Sequence, residues 1–100
     1  MASSAEFKDY ILEQTRNLPN ILCKPMMGEF LLYYNGILFG GIYDNRFLIK
    51  KTKSNESFSL KEEIPYENAK TMYMIENLED TEYFSEIITI TCNDLKNKNG

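Results

Sequence analysis

Histidine is absent from the 100 residues, and cysteine occurs only twice. Without histidine the chain lacks the usual neutral-pH general base and the commonest metal ligand. Ser–His–Asp and Cys–His nucleophile arrangements are excluded with it, so Cys23 and Cys92 have no imidazole to activate them. The two cysteines lie far apart and match neither a CxxC nor a zinc spacing, and they read as small buried apolar residues of a reducing compartment. No apolar run approaches the roughly 20 residues that span a bilayer. The start, Met1-Ala2-Ser3-Ser4-Ala5-Glu6, has neither the positive end nor the apolar stretch of a signal peptide, so the expectation is a cytoplasmic protein with no membrane role. Gly36, Gly40 and Gly41 fall between strand-like runs rather than between a strand and a helix, so no phosphate-binding loop is present. No catalytic, cofactor-binding or metal-ligating residue is assigned.

Positive charge is also scarce. Net charge is −4, which disfavours autonomous binding to a phosphate backbone. The charge is uneven: Arg46, Lys50, Lys51 and Lys53 make a local basic stretch, while the later half is rich in Glu and Asp. The acidic pairs Glu62-Glu63 and Glu79-Asp80 could in principle hold a cation or share a proton, but such clusters are usually solvated.

What is present describes one domain over residues 1–97, with 98–100 as a frayed tail. Hydrophobic residues make up 43% of the chain, enough for a globular core and too many for disorder. Ser3 and Glu6 have the spacing of a reciprocal capping box at a helix start. Phe7, Tyr10, Ile11 and Leu18 share a helical face, and Pro19 predicts a stop near Asn17. Ile21 to Met27 reads as a strand that Pro25 restricts to an edge or a bulge, and Gly28 allows a sharp turn after it. Glu29–Tyr34 and Ile37–Tyr43 flank Asn35-Gly36, which suits a type I′ hairpin turn. Asp44-Asn45 sets a second such turn before Arg46 to Lys50. The result is an antiparallel meander between about Ile21 and Lys51.

Gly40-Gly41 interrupts its strand for a bulge, for close approach of a helix, or for a ligand against the backbone. Thr52 to Glu63 reads as a polar loop with room for a short helix, and Thr71 to Glu76 as a last strand. The end of the chain pits β-branched Ile87-Ile88-Thr89-Ile90-Thr91 against a helical stripe of Phe84, Ile87, Ile88, Thr91 and Leu95. Acidic residues before the stripe and lysines after it match the helix dipole, which favours a helix from Thr81 to Lys96. The fold class is therefore α+β: a two-layer antiparallel sheet of four to five strands with N- and C-terminal helices packed on it.

Glu29-Phe30-Leu31-Leu32-Tyr33-Tyr34 does not alternate, so both faces of that strand are apolar. The outer face is then covered, either by another segment or by a partner, although tyrosines can also pack their rings and keep their hydroxyls wet. Met26-Met27 is either core filler or part of an adaptable binding surface.

Tyr10-Ile11-Leu12-Glu13-Gln14, Pro25-Met26-Met27-Gly28-Glu29-Phe30, Leu32-Tyr33-Tyr34-Asn35-Gly36 and Phe39-Gly40-Gly41-Ile42-Tyr43-Asp44-Asn45-Arg46 follow one another in an order that resembles the N-terminal domain of TfoX/Sxy proteins. Pro65-Tyr66-Glu67-Asn68-Ala69-Lys70 extends the likeness over nearly the whole chain. The resemblance implies a two-layer domain similar to the secretion-chaperone-like fold. It also implies a regulator of natural competence that acts with a cyclic-AMP receptor protein on DNA-uptake genes, with no catalytic residues. Members of the family carry a second, helical domain, so this chain is expected to be a stand-alone N-terminal domain.

Three functions follow as expectations. The first is a non-enzymatic regulatory module that contacts a protein, such as a transcription factor or a second copy of itself. Its candidate surface is Tyr33, Tyr43, Arg46, Lys50 and Lys51. The second is direct nucleic-acid binding through Arg46, Lys50, Lys51 and Lys53 with tyrosine stacking, which the acidic balance opposes. The third is a tyrosine- or carboxylate-based enzyme, for which nothing in the sequence converges on a site.

Overall fold

The computed structural model describes residues 3–98. Its elements run α1 (Ala5–Gln14), β1 (Ile21–Met26), β2 (Glu29–Tyr34), β3 (Ile37–Tyr43), β4 (Arg46–Ile49), a 3-10 helix (Ser54–Phe58), β5 (Lys61–Glu63), β6 (Met72–Met74) and α2 (Thr81–Lys98). One antiparallel sheet of six strands, ordered β1-β2-β3-β4-β6-β5, carries both α-helices on one face. The fold is α+β.

Three hairpins build the meander. Their central pairs, Met27-Gly28, Asn35-Gly36 and Asp44-Asn45, all have positive φ, the geometry whose twist matches the strands. Two of these pairs use residues suited to that geometry, whereas Met27 adopts φ 51° with an ordinary side chain.

The capping box is corrected. Ser4 caps α1, its Oγ accepting from Phe7 N at 3.0 Å. Phe7 then stands where a reciprocal acid would have to be. Ser3 is engaged elsewhere: its N–H and hydroxyl donate to Glu29 Oε1, at 2.9 and 2.6 Å, and its Oγ accepts from Asn45 N at 2.9 Å. It latches the start of the chain to β2 and to the β3–β4 turn. Helix α1 also ends before Asn17, because the Thr15 hydroxyl and N–H both donate to Leu12 O and close the last turn.

Gly40 sits at a bulge. Leu32 pairs with Gly40 and Tyr33 with Leu38, leaving Phe39 as the extra residue of β3. Phe39 belongs to the core, and an added Cβ on Gly40 would collide with the Leu48 carbonyl oxygen and lie 2.9 Å from Ile49 Cα. The close approach comes from the backbone of the neighbouring strand β4 rather than from a helix.

The sheet has six strands rather than four to five. The unexpected one is β5, three charged residues at an edge, where charge guards against unwanted pairing and hides the strand from propensity. The polar stretch before it holds the 3-10 helix, fixed by Asn55. Asn55 is fully buried and donates to Lys50 O and Thr91 Oγ1, both at 2.9 Å, while accepting from Thr52 N. The late segment is helical despite its β-branched residues, as the stripe predicts. Asp80 caps it through Oδ1, and Phe84, Ile87, Ile88 and Thr91 are buried. Phe84 stacks on Phe47 with ring centroids 5.1 Å apart. Helix α2 runs through Lys98, beyond the expected boundary at 97; the remainder of the expected tail, 99–100, lies outside the described residues. Among the described residues, no helix is long and apolar enough to cross a membrane.

A candidate partner-binding face

Register fixes which residues share a face. One row crosses all six strands on the helix side: Cys23, Leu32, Gly40, Ile49, Tyr73 and Glu62. The adjacent row points the other way: Lys24, Leu31, Gly41, Leu48, Met74 and Lys61. The second face carries neither α-helix. It includes Leu22, Tyr33 and Leu38 in one flanking row and Met26 with Glu29 in the other. Leu31, Tyr33, Leu38, Met72 and Met74 are half-buried there, and Leu22 is 49% exposed.

One corner of this open face is covered from within the chain. Tyr43 lies against Gly41, where an added Cβ would come within 2.9 Å of its ring, and Tyr66 packs on Tyr43 with centroids 6.1 Å apart. Burial, with the neighbouring Tyr66, Glu29 and Tyr33, pushes the Tyr43 phenol above its usual range. Arg46 fastens the covering segment. Its Nε donates to Tyr43 O at 3.1 Å, Nη1 to Glu63 Oε1 at 3.2 Å, and Nη2 to Ile64 O and Pro65 O at 3.1 and 3.4 Å. Nearly all of its five N–H donors are thereby engaged. Met26, Met27 and, in the covering segment itself, Ile64 and Tyr66 remain exposed, and Met27 at the β1–β2 tip is 98% accessible.

The five residues expected to form one surface do not act together. Tyr33 is on the open face, beneath the Lys24 ammonium at 5.3 Å from its ring centroid. Tyr43 and Arg46 share that face but build its covered corner. Lys50, half-buried, follows Ile49 of the helix side and so alternates to the open face. Lys51 corrects the expectation: it falls on the helix side, 5.5 Å over the Tyr73 ring, bonded to Glu62 Oε1 and Thr71 Oγ1 at 3.0 Å each. The hydrogen bond with Glu62 raises the Lys51 pKa and lowers that of Glu62.

Lys51 borders an open cleft of about 920 Å³, with Lys53, Glu56, Glu62, Tyr73 and Asp94 among its lining residues. Asp94 accepts from the Ser54 N–H and hydroxyl, at 2.7 and 2.9 Å, which holds its carboxyl below the usual range. The cleft mixes both signs of charge, and two of its carboxylates are tied, Glu62 to Lys51 and Asp94 to Ser54. Glu62 and Glu63 point to opposite faces of β5, so this pair does not share a proton. Among the described residues, no group of three or more Asp, Glu or Cys side chains is placed to hold a metal ion. Burial pushes the Cys92 thiol up to about 12, which makes it unreactive, and Cys23 is also raised.

Sequence reasoning offered Met26-Met27 as a possible binding surface but did not place the residues of β3, because strict alternation from Ile37 carries Phe39, Gly41 and Tyr43 onto one face. The bulge breaks that phase and sends Phe39 inward while Gly41 and Tyr43 face out. A weak signal was available in Met27, an apolar residue where a turn former belongs.

No family model matches the chain. Over 94 residues it is 28% identical to a Spirochaeta aurantia protein described as "Uncharacterized 12.7 kDa protein in trpE 5'region", an alignment that covers 91% of this chain and 82% of that relative.

Proposed function

We propose that this protein is a non-enzymatic regulatory module that works by binding another protein through the open face of its sheet. The observation that carries the reading is the apolar surface left uncovered on a face without an α-helix: exposed Leu22, Met26 and Met27 beside half-buried Leu31, Leu38 and Met74. A sheet face of this kind, rimmed by polar groups, is what an interaction site presents to water before its partner arrives. The likeness of Pro25 to Arg46 to the N-terminal domain of TfoX/Sxy proteins gives the module its proposed class, a competence-regulator-like domain acting on transcription through a transcription factor. The engagement of Arg46 with Glu63, Ile64 and Pro65 argues against that residue as a phosphate ligand, and so against direct nucleic-acid binding.

The test is affinity capture from the native cell with the wild-type chain and with a Leu22→Asp/Met27→Asp variant, each followed by mass spectrometry. A transcription factor retained by the first and lost by the second is the expected result. Equal recovery of every protein by both baits overturns the reading.

A further inference from the structure

We infer that the free edge of β1 pairs with β1 of a second copy of this chain, antiparallel about a two-fold axis at Leu22, and so joins two six-stranded sheets into one. This edge is separate from the open face, and its pairing does not depend on what that face binds. The Met27-Gly28 hairpin closes on Met26 paired with Glu29, and at the other end of the strand the Asn35 N–H donates to Asn20 O at 3.2 Å. Alternation between these two fixed points turns the backbone groups of Leu22, Lys24 and Met26 toward β2 and those of Ile21, Cys23 and Pro25 outward. The edge therefore presents the N–H groups of Ile21 and Cys23 and the carbonyls of Ile21, Cys23 and Pro25, since proline has no N–H. Strand β1 neighbours β2 alone, and among the described residues no loop backbone bonds to these groups.

Pro25 selects the register. With Cys23 facing its own counterpart, Ile21 would face Pro25 of the second copy, and a carbonyl would meet a ring instead of an N–H. An axis at Leu22 sets Ile21 opposite Cys23 of the second copy, so that the outward N–H and carbonyl of each find a partner on both sides of the axis. Pro25 then lies past the end of the ladder, where the other chain has turned away at Asn20 with φ 63°. The side chains fit the same register. Leu22, 49% exposed, meets its counterpart in a non-hydrogen-bonded pair with Cα atoms about 4.5 Å apart. Half-buried Ile21 and Cys23 meet on the helix side. The two copies of Lys24 are offset by about 13 Å along the strands, farther than salt lets exposed charges repel strongly. The opposite edge of the sheet differs: β5 is Lys61-Glu62-Glu63, charged at every position, which guards it against pairing. Lys24 is the one charge in the six residues of β1. A self-complementary edge opposite a guarded one closes as a dimer and does not grow into a filament.

The experiment is sedimentation equilibrium of the full chain from about 10 μM to about 1 mM, the range in which a small edge contact associates. A reversible dimer is expected. As it forms, amide exchange should slow at Ile21 and Cys23, while Leu22 and Lys24, already bonded to β2, stay unchanged. Leu22→Lys and Leu22→Glu, each keeping the wild-type melting temperature to within a few degrees, should each weaken self-association about tenfold or more by setting like charges opposite each other. Mixing the two variants should restore a dimer containing one of each, because only a two-fold contact at residue 22 sets the new lysine against the new glutamate. A strict monomer at about 1 mM overturns the inference. So does a dimer whose Ile21 and Cys23 amides still exchange fast, or one that both variants leave intact. A dimer that Leu22→Glu strengthens also overturns it, since residue 22 would then face Lys24.

Discussion

The two rows that cross the sheet differ by one residue in register and by almost everything in environment. Cys23, Leu32, Gly40, Ile49, Tyr73 and Glu62 lie on the helix side; Lys24, Leu31, Gly41, Leu48, Met74 and Lys61 lie on the open side. Each has a glycine at its β3 position, and each glycine is crowded by its own surroundings: Gly40 by the β4 backbone, Gly41 by Phe30 O and the Tyr43 ring. The helix side is closed by Phe47 stacked on Phe84 and by Ile87 and Ile88. The open side buries Leu48 and Tyr43 by means of the Arg46-held segment and leaves the rest half-covered. One side of the sheet thus supplies the core, and the other keeps part of its apolar area in contact with water.

Substitutions can break this contrast. The largest effect belongs to the covered side: Phe47→Ala or Phe84→Ala should cost about 3–5 kcal/mol in chemical denaturation, from lost burial and the cavity left behind. Leu22→Ala, across the sheet and 49% exposed, should cost under about 1 kcal/mol. A comparable loss at both sites would erase the distinction. Next is Asn55→Ala, which leaves the Thr52 N–H, the Lys50 carbonyl and the Thr91 hydroxyl without this partner. A loss of about 1–3 kcal/mol is expected by the same assay.

Met27→Asn should act in the opposite direction. Asparagine accepts positive φ more readily, and the fully exposed methionine contributes no burial, so a gain of up to about 1 kcal/mol is expected. The same variant should weaken partner capture, which separates a binding cost from a folding one.

The last effect is absent near neutral pH and visible only at high pH. The Cys92 thiol has its folded pKa raised from about 9.0 to about 12, so between these values the unfolded chain loses this proton first. Its contribution is therefore destabilising as pH rises above about 9 and absent below. The native chain should react with a thiol reagent at half-buried Cys23 well before Cys92, as peptide mapping after timed alkylation would reveal.

Much of the fold was legible. Asn35-Gly36 and Asp44-Asn45 set two hairpins because few other pairs accept two positive φ values, and the stripe from Phe84 to Leu95 outweighed β-branching because burial on one face decides a helix more than propensity does. Strand β5 was not legible, since Lys61-Glu62-Glu63 carries no apolar periodicity and is placed by pairing to β6 and by ion pairs with the distant Arg46 and Lys51. The candidate surface was legible only in part. A basic run in sequence, Arg46 to Lys51, becomes three different situations in space: a structural clamp at Arg46, an open-face cation at Lys50 and a helix-side ion pair at Lys51. Sequence proximity cannot show this, because alternation separates neighbours and the acceptors at Glu63 and Pro65 come from another segment. The capping box failed for a similar reason: Ser3 found its partners more than 20 positions away.

The central claim is that partners meet the open face and not the helices. A photo-crosslinking amino acid placed in the native cell at Leu22 or Leu38 on that face, and separately at Glu86 or Asn93 on the solvent side of α2, tests it most directly. The account predicts a discrete crosslinked protein from the first two positions and none from the last two. Adducts confined to the α2 positions, or the same adducts from all four, would contradict it.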